Sequence, residues 1–315
     1  MKHKWKLFVC GISISLLLGG CFGVENGGKS DVKKSLTKQD ENARSEDVYE
    51  SVLTYTGEGY DLPGGEETEK IAKDQKDEVV KATKDYLKKE YNTDIEVHNM
   101  VGNEDGVTVF YESTGNLHFY GTAIVPIDVK NKTVLSDQVW TLEGVVERGI
   151  RGALYAFIFE DKFKKLDSVL ADLEKNENIV GRKVEAIENV GGIGYMTPYY
   201  FLANDNDDQA IEPVYDYYMK NPNASKEELL NEYKQDLFIP EDFLFSIQFY
   251  MKDQKKSPEE EILKTIVKTI EDNDGIPSGA YAINLHDNYV IREAAEGAKK
   301  NSISKKFPNG EIIKK

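Results

Sequence analysis

Both cysteines of this 315-residue chain, Cys10 and Cys21, fall within its first 21 residues. Everything after them must fold without a disulfide, a CxxC redox pair or a thiolate metal site. Stability has to come from an apolar core. The composition supplies one, with 40% hydrophobic and 10% aromatic residues.

The two cysteines belong to a leader. Lys2, Lys4 and Lys6 precede an uncharged run from Leu7 to Gly20, the charge and apolar pattern of a secretory signal. That run falls short of the ~20 apolar residues a membrane-spanning helix needs. Its end, Leu18-Gly19-Gly20-Cys21, fits the bacterial lipobox. Cleavage is expected between Gly20 and Cys21, with diacylation of the Cys21 sulfur. Two acyl chains meet the requirement for stable anchoring.

Residues 1–20 therefore read as a lipoprotein signal peptide, and residues 21–50, polar and poor in large apolar side chains, as a disordered tether. A coil of that length spans about 30 Å. The expected location is the extracytoplasmic face of the cell membrane, with the membrane itself as a partner through Cys21. The formal charge is -16, and loss of the three leader lysines makes it -19. Such a body repels phosphate backbones, which excludes nucleic acid as a natural partner.

The remainder divides into an N-terminal half, 51–176, and a C-terminal half, 177–315. A glycine-rich loop over 55–65 leads into a helical pattern over 68–91, where Ile71, Val79, Tyr86 and Leu87 share a stripe. Strand patterns follow at 95–101, 106–113 and 117–129, separated by the turns NEDG and STGN. A weaker strand covers 133–142. Helical periodicity runs over 143–175, with an apolar centre at 152–159 and a break predicted at Glu160-Asp161. Ser225…Glu228 and Ser257-Pro258-Glu259-Glu260 both have capping-box form. Strands over 244–251 and 279–287 bracket a helix with Ile262, Leu263, Ile266, Val267 and Ile270 on one face. The expected fold class is α+β: mainly antiparallel sheets packed on amphipathic helices, with a local parallel pair in the C-terminal half. The halves share this rough order, which admits two similar sub-domains, although no residue-level repeat exists.

No motif spells out a reaction. His98, His118 and His286 lie in strand-like runs without HExxH or HxH spacing, and read as strand residues. No catalytic residue, metal or cofactor is expected. Gly191-Gly192-Ile193-Gly194 lacks the lysine and hydroxyl ending of a phosphate loop and reads as a turn. Asn204 to Asp208 resembles the start of a calcium loop, but Gln209 replaces the needed glycine and Tyr215 the bidentate glutamate. Tyr195, Tyr199 and Tyr200 are candidates for lining a groove, with core packing as the alternative.

Taken together, YTGEGY, HFYGTAIVPIDV, AIENVGGIGYMTPYYF and PSGAYAINLHDN resemble a family of Gram-positive lipoproteins catalogued as domain of unknown function 1672. The resemblance runs from about Tyr55 to the C-terminus. It implies one continuous family unit behind a lipoprotein leader, and it brings no activity, ligand or catalytic residue. The leading expectation is a non-enzymatic interaction module at the cell surface, with an envelope or protein partner. A solute-binding lipoprotein serving a transporter is the alternative, and an envelope hydrolase the third reading.

Overall fold

The structure, a computed structural model, describes residues 45–305 and 310–315. Gly20, Cys21 and the leader lie outside the described residues. Residues 21–44 of the expected tether also lie outside the described residues, and Tyr49–Ser51 form a strand, β1.

Glu66–Asp74 (α1) and Lys76–Tyr91 (α2) replace the single helix expected over 68–91. The break falls at Gln75, whose N–H is shared between the Ile71 and Ala72 carbonyls. Its side chain donates to the Lys132 carbonyl at 2.9 Å. A distant turn thus ends the helix, and no local signal announces it. Ile95–Asn103 (β2), Gly106–Ser113 (β3), Tyr120–Asp128 (β4) and Thr133–Val134 (β5) form an antiparallel meander in that order. Asn103 Oδ1 accepts the N–H groups of Asp105 and Gly106, an Asx-turn that fixes the β2–β3 register. The strand expected over 133–142 shrinks to β5 plus one bridge between Trp140 and Ile124.

Val145–Ile158 (α3) and Glu160–Asn176 (α4) divide where the sequence predicts. Most of the apolar centre of α3 is buried. Then come Ile179–Val180 (β6), Val184–Val190 (α5), Tyr200–Ala203 (β7), Glu212–Lys220 (α6) and Lys226–Glu232 (α7). The Ser225 box caps α7: Glu228 N–H donates to Ser225 Oγ, and Ser225 N–H donates to Glu228 Oε2. The second box does not form. Glu260–Asp272 (α8, after Leu244–Met251, β8) begins later, with Glu259 extended as its cap. The Glu259 carboxylate is taken by Lys256 Nζ at 2.8 Å, so Ser257 and Pro258 precede the helix.

Gly279–His286 (β9) pairs with β8 in parallel, from Leu244↔Ala280 to Tyr250↔His286. Helix α8 links them and buries Ile262, Leu263, Ile266 and Ile270. Both strands are covered on both faces, and their runs are accordingly almost continuously apolar. Tyr289–Ile291 (β10) pairs with β1, while β6 and β7 join β8. Ile303–Lys305 (β11) and Ile312–Lys314 (β12) join β9. Among the described residues, every strand pairing apart from β8–β9 is antiparallel. The fold is α+β, as expected. One hydrophobic cluster includes Val109 of the meander, Leu154 of α3, and Phe245 and Ile283 of the larger sheet.

Candidate functional site

The three candidate groove tyrosines pack on the core. Tyr200 is 2% exposed, and its ring lies 5.7 Å from Phe245 and 6.2 Å from Tyr195. Tyr195 sits edge-on to Phe163 at 5.6 Å, and burial pushes its hydroxyl up to about 12. Tyr199 packs against Phe249 and donates its hydroxyl to Glu174 Oε2 at 2.5 Å. Two clefts elsewhere hold about 20 and 10 Å³, room for a water and little more. The larger is lined by aromatic rings, among them Tyr155, Phe159, Tyr233 and Phe238.

The calcium-loop-like segment is spent on structure. Asn206 Nδ2 donates to the Gly144 carbonyl, and Asp208 accepts from the Tyr155 hydroxyl at 2.6 Å and from Ala210 N–H. These bonds tie the loop to the start and middle of α3. His286 is likewise a structural residue, 2% exposed and bonded through both ring nitrogens to Ser302 Oγ and Gln248 Oε1.

His98 and His118 behave differently. The β2–β3 register pairs Val97 with Tyr111 and Asn99 with Phe110, so His98 is the extra residue of a β-bulge. Bulges re-aim side chains, and here the His98 ring is brought to 3.5 Å from Glu112 Oε1. Glu112 stands opposite Tyr120 on β4. His118, just before β4, donates Nε2–H to the other carboxylate oxygen, Oε2, at 3.2 Å. Its ring meets Tyr120 edge-on at 5.0 Å.

Glu188 arrives from α5. Two anchors hold that short helix against the meander: Asn99 Nδ2 donates to the Asn189 carbonyl, and Gly194 exchanges both backbone hydrogen bonds with Tyr120. Gly194 has φ +100°, which a side chain would strain. The glycine run is thus the turn expected of it, and it sets Glu188 beside Glu112. Ligand atoms of His98, Glu112 and Glu188 all lie within 4.8 Å of one another. Burial pushes the Tyr120 hydroxyl up to about 12, helped by the Glu112 and Glu188 charges, which disfavour a phenolate. Tyr120 therefore stays a neutral donor beside two carboxylates.

The sequence of residues 42–314 matches a family described as "Protein of unknown function (DUF1672)". The chain belongs to the DUF1672 family. This DUF1672 protein is also similar in structure to a DUF1672 family protein from Staphylococcus aureus. The TM-score is 0.64 at 16% identity, over 81% of this chain and 96% of that one. At that identity the likeness speaks to the fold alone. A DUF5037 family protein from Ruminococcus gnavus aligns with 67% of this chain and 76% of its own at 15% identity, but its TM-score of 0.26 is too low to inform the fold. No curated protein matches the sequence.

Glu112 and Glu188 carried no sequence signal. Among many acids, only the bulge at His98 and the docking of α5 single them out, and both are tertiary features.

Proposed function

We propose that this DUF1672 protein is an extracytoplasmic lipoprotein held to the membrane through Cys21, and that its folded body is a non-enzymatic interaction module. The observation that carries this reading is the packing among the described residues: the aromatic side chains interlock, and the two clefts noted above are water-sized. A body of this kind works from its surface. The lipobox supports the anchor, and the folded part begins close behind the polar segment.

The surface best suited to a partner flanks the aromatic cleft. Leu237 and Ile239 are 45% and 55% exposed and bracket Phe238, which lines that cleft. Exposed Asp236, Glu241 and Asp242 sit beside them in the chain. Lys162 lines the cleft and exposed Lys234 precedes the segment, so the rim is of mixed charge and the apolar anchors fit a protein segment carrying apolar side chains.

Two measurements test the reading. Melting curves recorded in chelator-treated buffer with amino acids, sugars, nucleosides and short peptides should shift by less than about 1 °C, because nothing binds the native state tightly. A reproducible rise of several degrees with one of these would make the protein a solute receptor. A photo-crosslinker at position 239, in cells, should give a discrete protein adduct that Leu237→Asp abolishes. An adduct unaffected by Leu237→Asp would remove this surface from the account.

A further inference from the structure

We propose that His98, Glu112 and Glu188 form a binding site for one divalent transition-metal ion, with Zn²⁺ the best fit among common ions. The cluster combines one imidazole with two carboxylates, a donor set that suits Zn²⁺ and disfavours the all-oxygen preference of Ca²⁺ and Mg²⁺.

Four observations converge on it. The Nε2 atom of His98 is buried, makes no hydrogen bond among the described residues and lies 3.5 Å from Glu112 Oε1, so in the Nδ1–H tautomer its lone pair is free for a metal beside that carboxylate. Glu112 and Glu188 are held close together, and among the described residues neither carboxylate has a lysine or arginine within ion-pair distance. Two like charges in one partly buried place call for a cation. A β-bulge, a device that recurs beside functional sites, is what turns His98 toward them. Finally, His118 binds the outer oxygen of Glu112 and leaves Oε1 facing His98. A hydrogen bond to the free oxygen of a ligating carboxylate orients it toward the ion in this way.

The 3.5 Å between His98 Nε2 and Glu112 Oε1 already suits two ligands each about 2.0–2.2 Å from one tetrahedral ion, and a Glu188 oxygen lies within 4.8 Å of both residues' ligand atoms. Glu188 lies on a seven-residue helix and is only half-buried, which leaves its side chain room to turn toward the ion. His118 is 46% exposed, and its side of the cluster gives an ion a way in from solvent. With three protein ligands, a fourth position stays open to water or to a donor from a partner.

The test uses the full mature protein in detergent, stripped with chelator and titrated with Zn²⁺ by calorimetry, with retained metal counted by mass spectrometry. One equivalent should bind, with Mn²⁺ weaker and Ca²⁺ weaker still. His98→Gln and Glu188→Gln should each weaken Zn²⁺ at least tenfold. His118→Gln, acting through Glu112, should keep one equivalent at about tenfold lower affinity. Far-ultraviolet circular dichroism of each variant establishes that the fold is intact. Absence of Zn²⁺ binding by the folded wild type, or equal binding by a folded His98→Gln/Glu188→Gln double variant, would overturn the site. The solute and cross-linking tests above are made without metal, so their outcome is independent of this one.

Discussion

Phe245→Ala should destabilise the protein by about 3–5 kcal/mol, the usual range for deleting a buried phenylalanine ring. Phe245 lies on β8 and is fully buried. Its ring stacks on Tyr281 of the parallel neighbour β9, with centroids 4.6 Å apart and planes 6° from parallel. Phe243, Tyr200 of β7 and Phe163 of α4 surround it at 5.3 to 5.7 Å. One side chain therefore joins three strands and a helix. Pairwise aromatic contacts add to the burial itself. A domain's net stability is about 5–15 kcal/mol, and here no disulfide backs up the core. Urea unfolding followed by circular dichroism should show a lower midpoint with an unchanged slope. A loss below about 1 kcal/mol would mean that the surrounding rings close the gap and that the cluster does not anchor the sheet.

Gly102→Ala should lower stability by about 3 kcal/mol, the upper end of the overpacking range, and the melting temperature by roughly 5–10 °C. Gly102 of β2 and Gly65, the residue before α1, press backbone against backbone. A Cβ on Gly102 would overlap the Gly65 carbonyl oxygen and come within 2.7 Å of Glu69 Cβ. Since the main obstacle is a carbonyl group, no side-chain rotation relieves it. Neither glycine has a positive φ, so space rather than backbone conformation demands it. The contact is stapled by Thr68, whose hydroxyl lies within hydrogen-bonding distance of both the Gly65 and Asn103 carbonyls. Displacing α1 would also uncover Ile71 and Ala72. A variant that melts with the wild type would show that α1 docks loosely.

The elements that the sequence made legible are those with local causes. The meander follows from period-two alternation and from Asn103, which builds its own turn. The α8 face follows from the spacing of Ile262, Leu263, Ile266 and Ile270. The failures have distant causes. Gln75 breaks a helix to reach the Lys132 carbonyl. Ser257 loses its cap because Glu259 is extended and paired with Lys256. The short strands β7, β11 and β12 owe their pairing to β8 and β9. The His98 cluster is the extreme case: a one-residue bulge redirects one ligand, and a helix docked from 90 residues further along the chain brings Glu188. Periodicity reads His98 as one more strand residue, since a bulge is invisible in composition. Tyr200 shows the opposite lesson: an aromatic run that invites a groove is filled by its own neighbours.

In the function proposed above, a lipid linked through the Cys21 sulfur makes this body a surface-tethered module rather than a freely diffusing one. Mass spectrometry of the N-terminal peptide, taken from the membrane fraction of the native organism, reads that linkage directly. The account predicts a chain that starts at Cys21 and bears two acyl chains on a glyceryl thioether. A chain still beginning at Met1, or one whose Cys21 carries a free thiol, would contradict it.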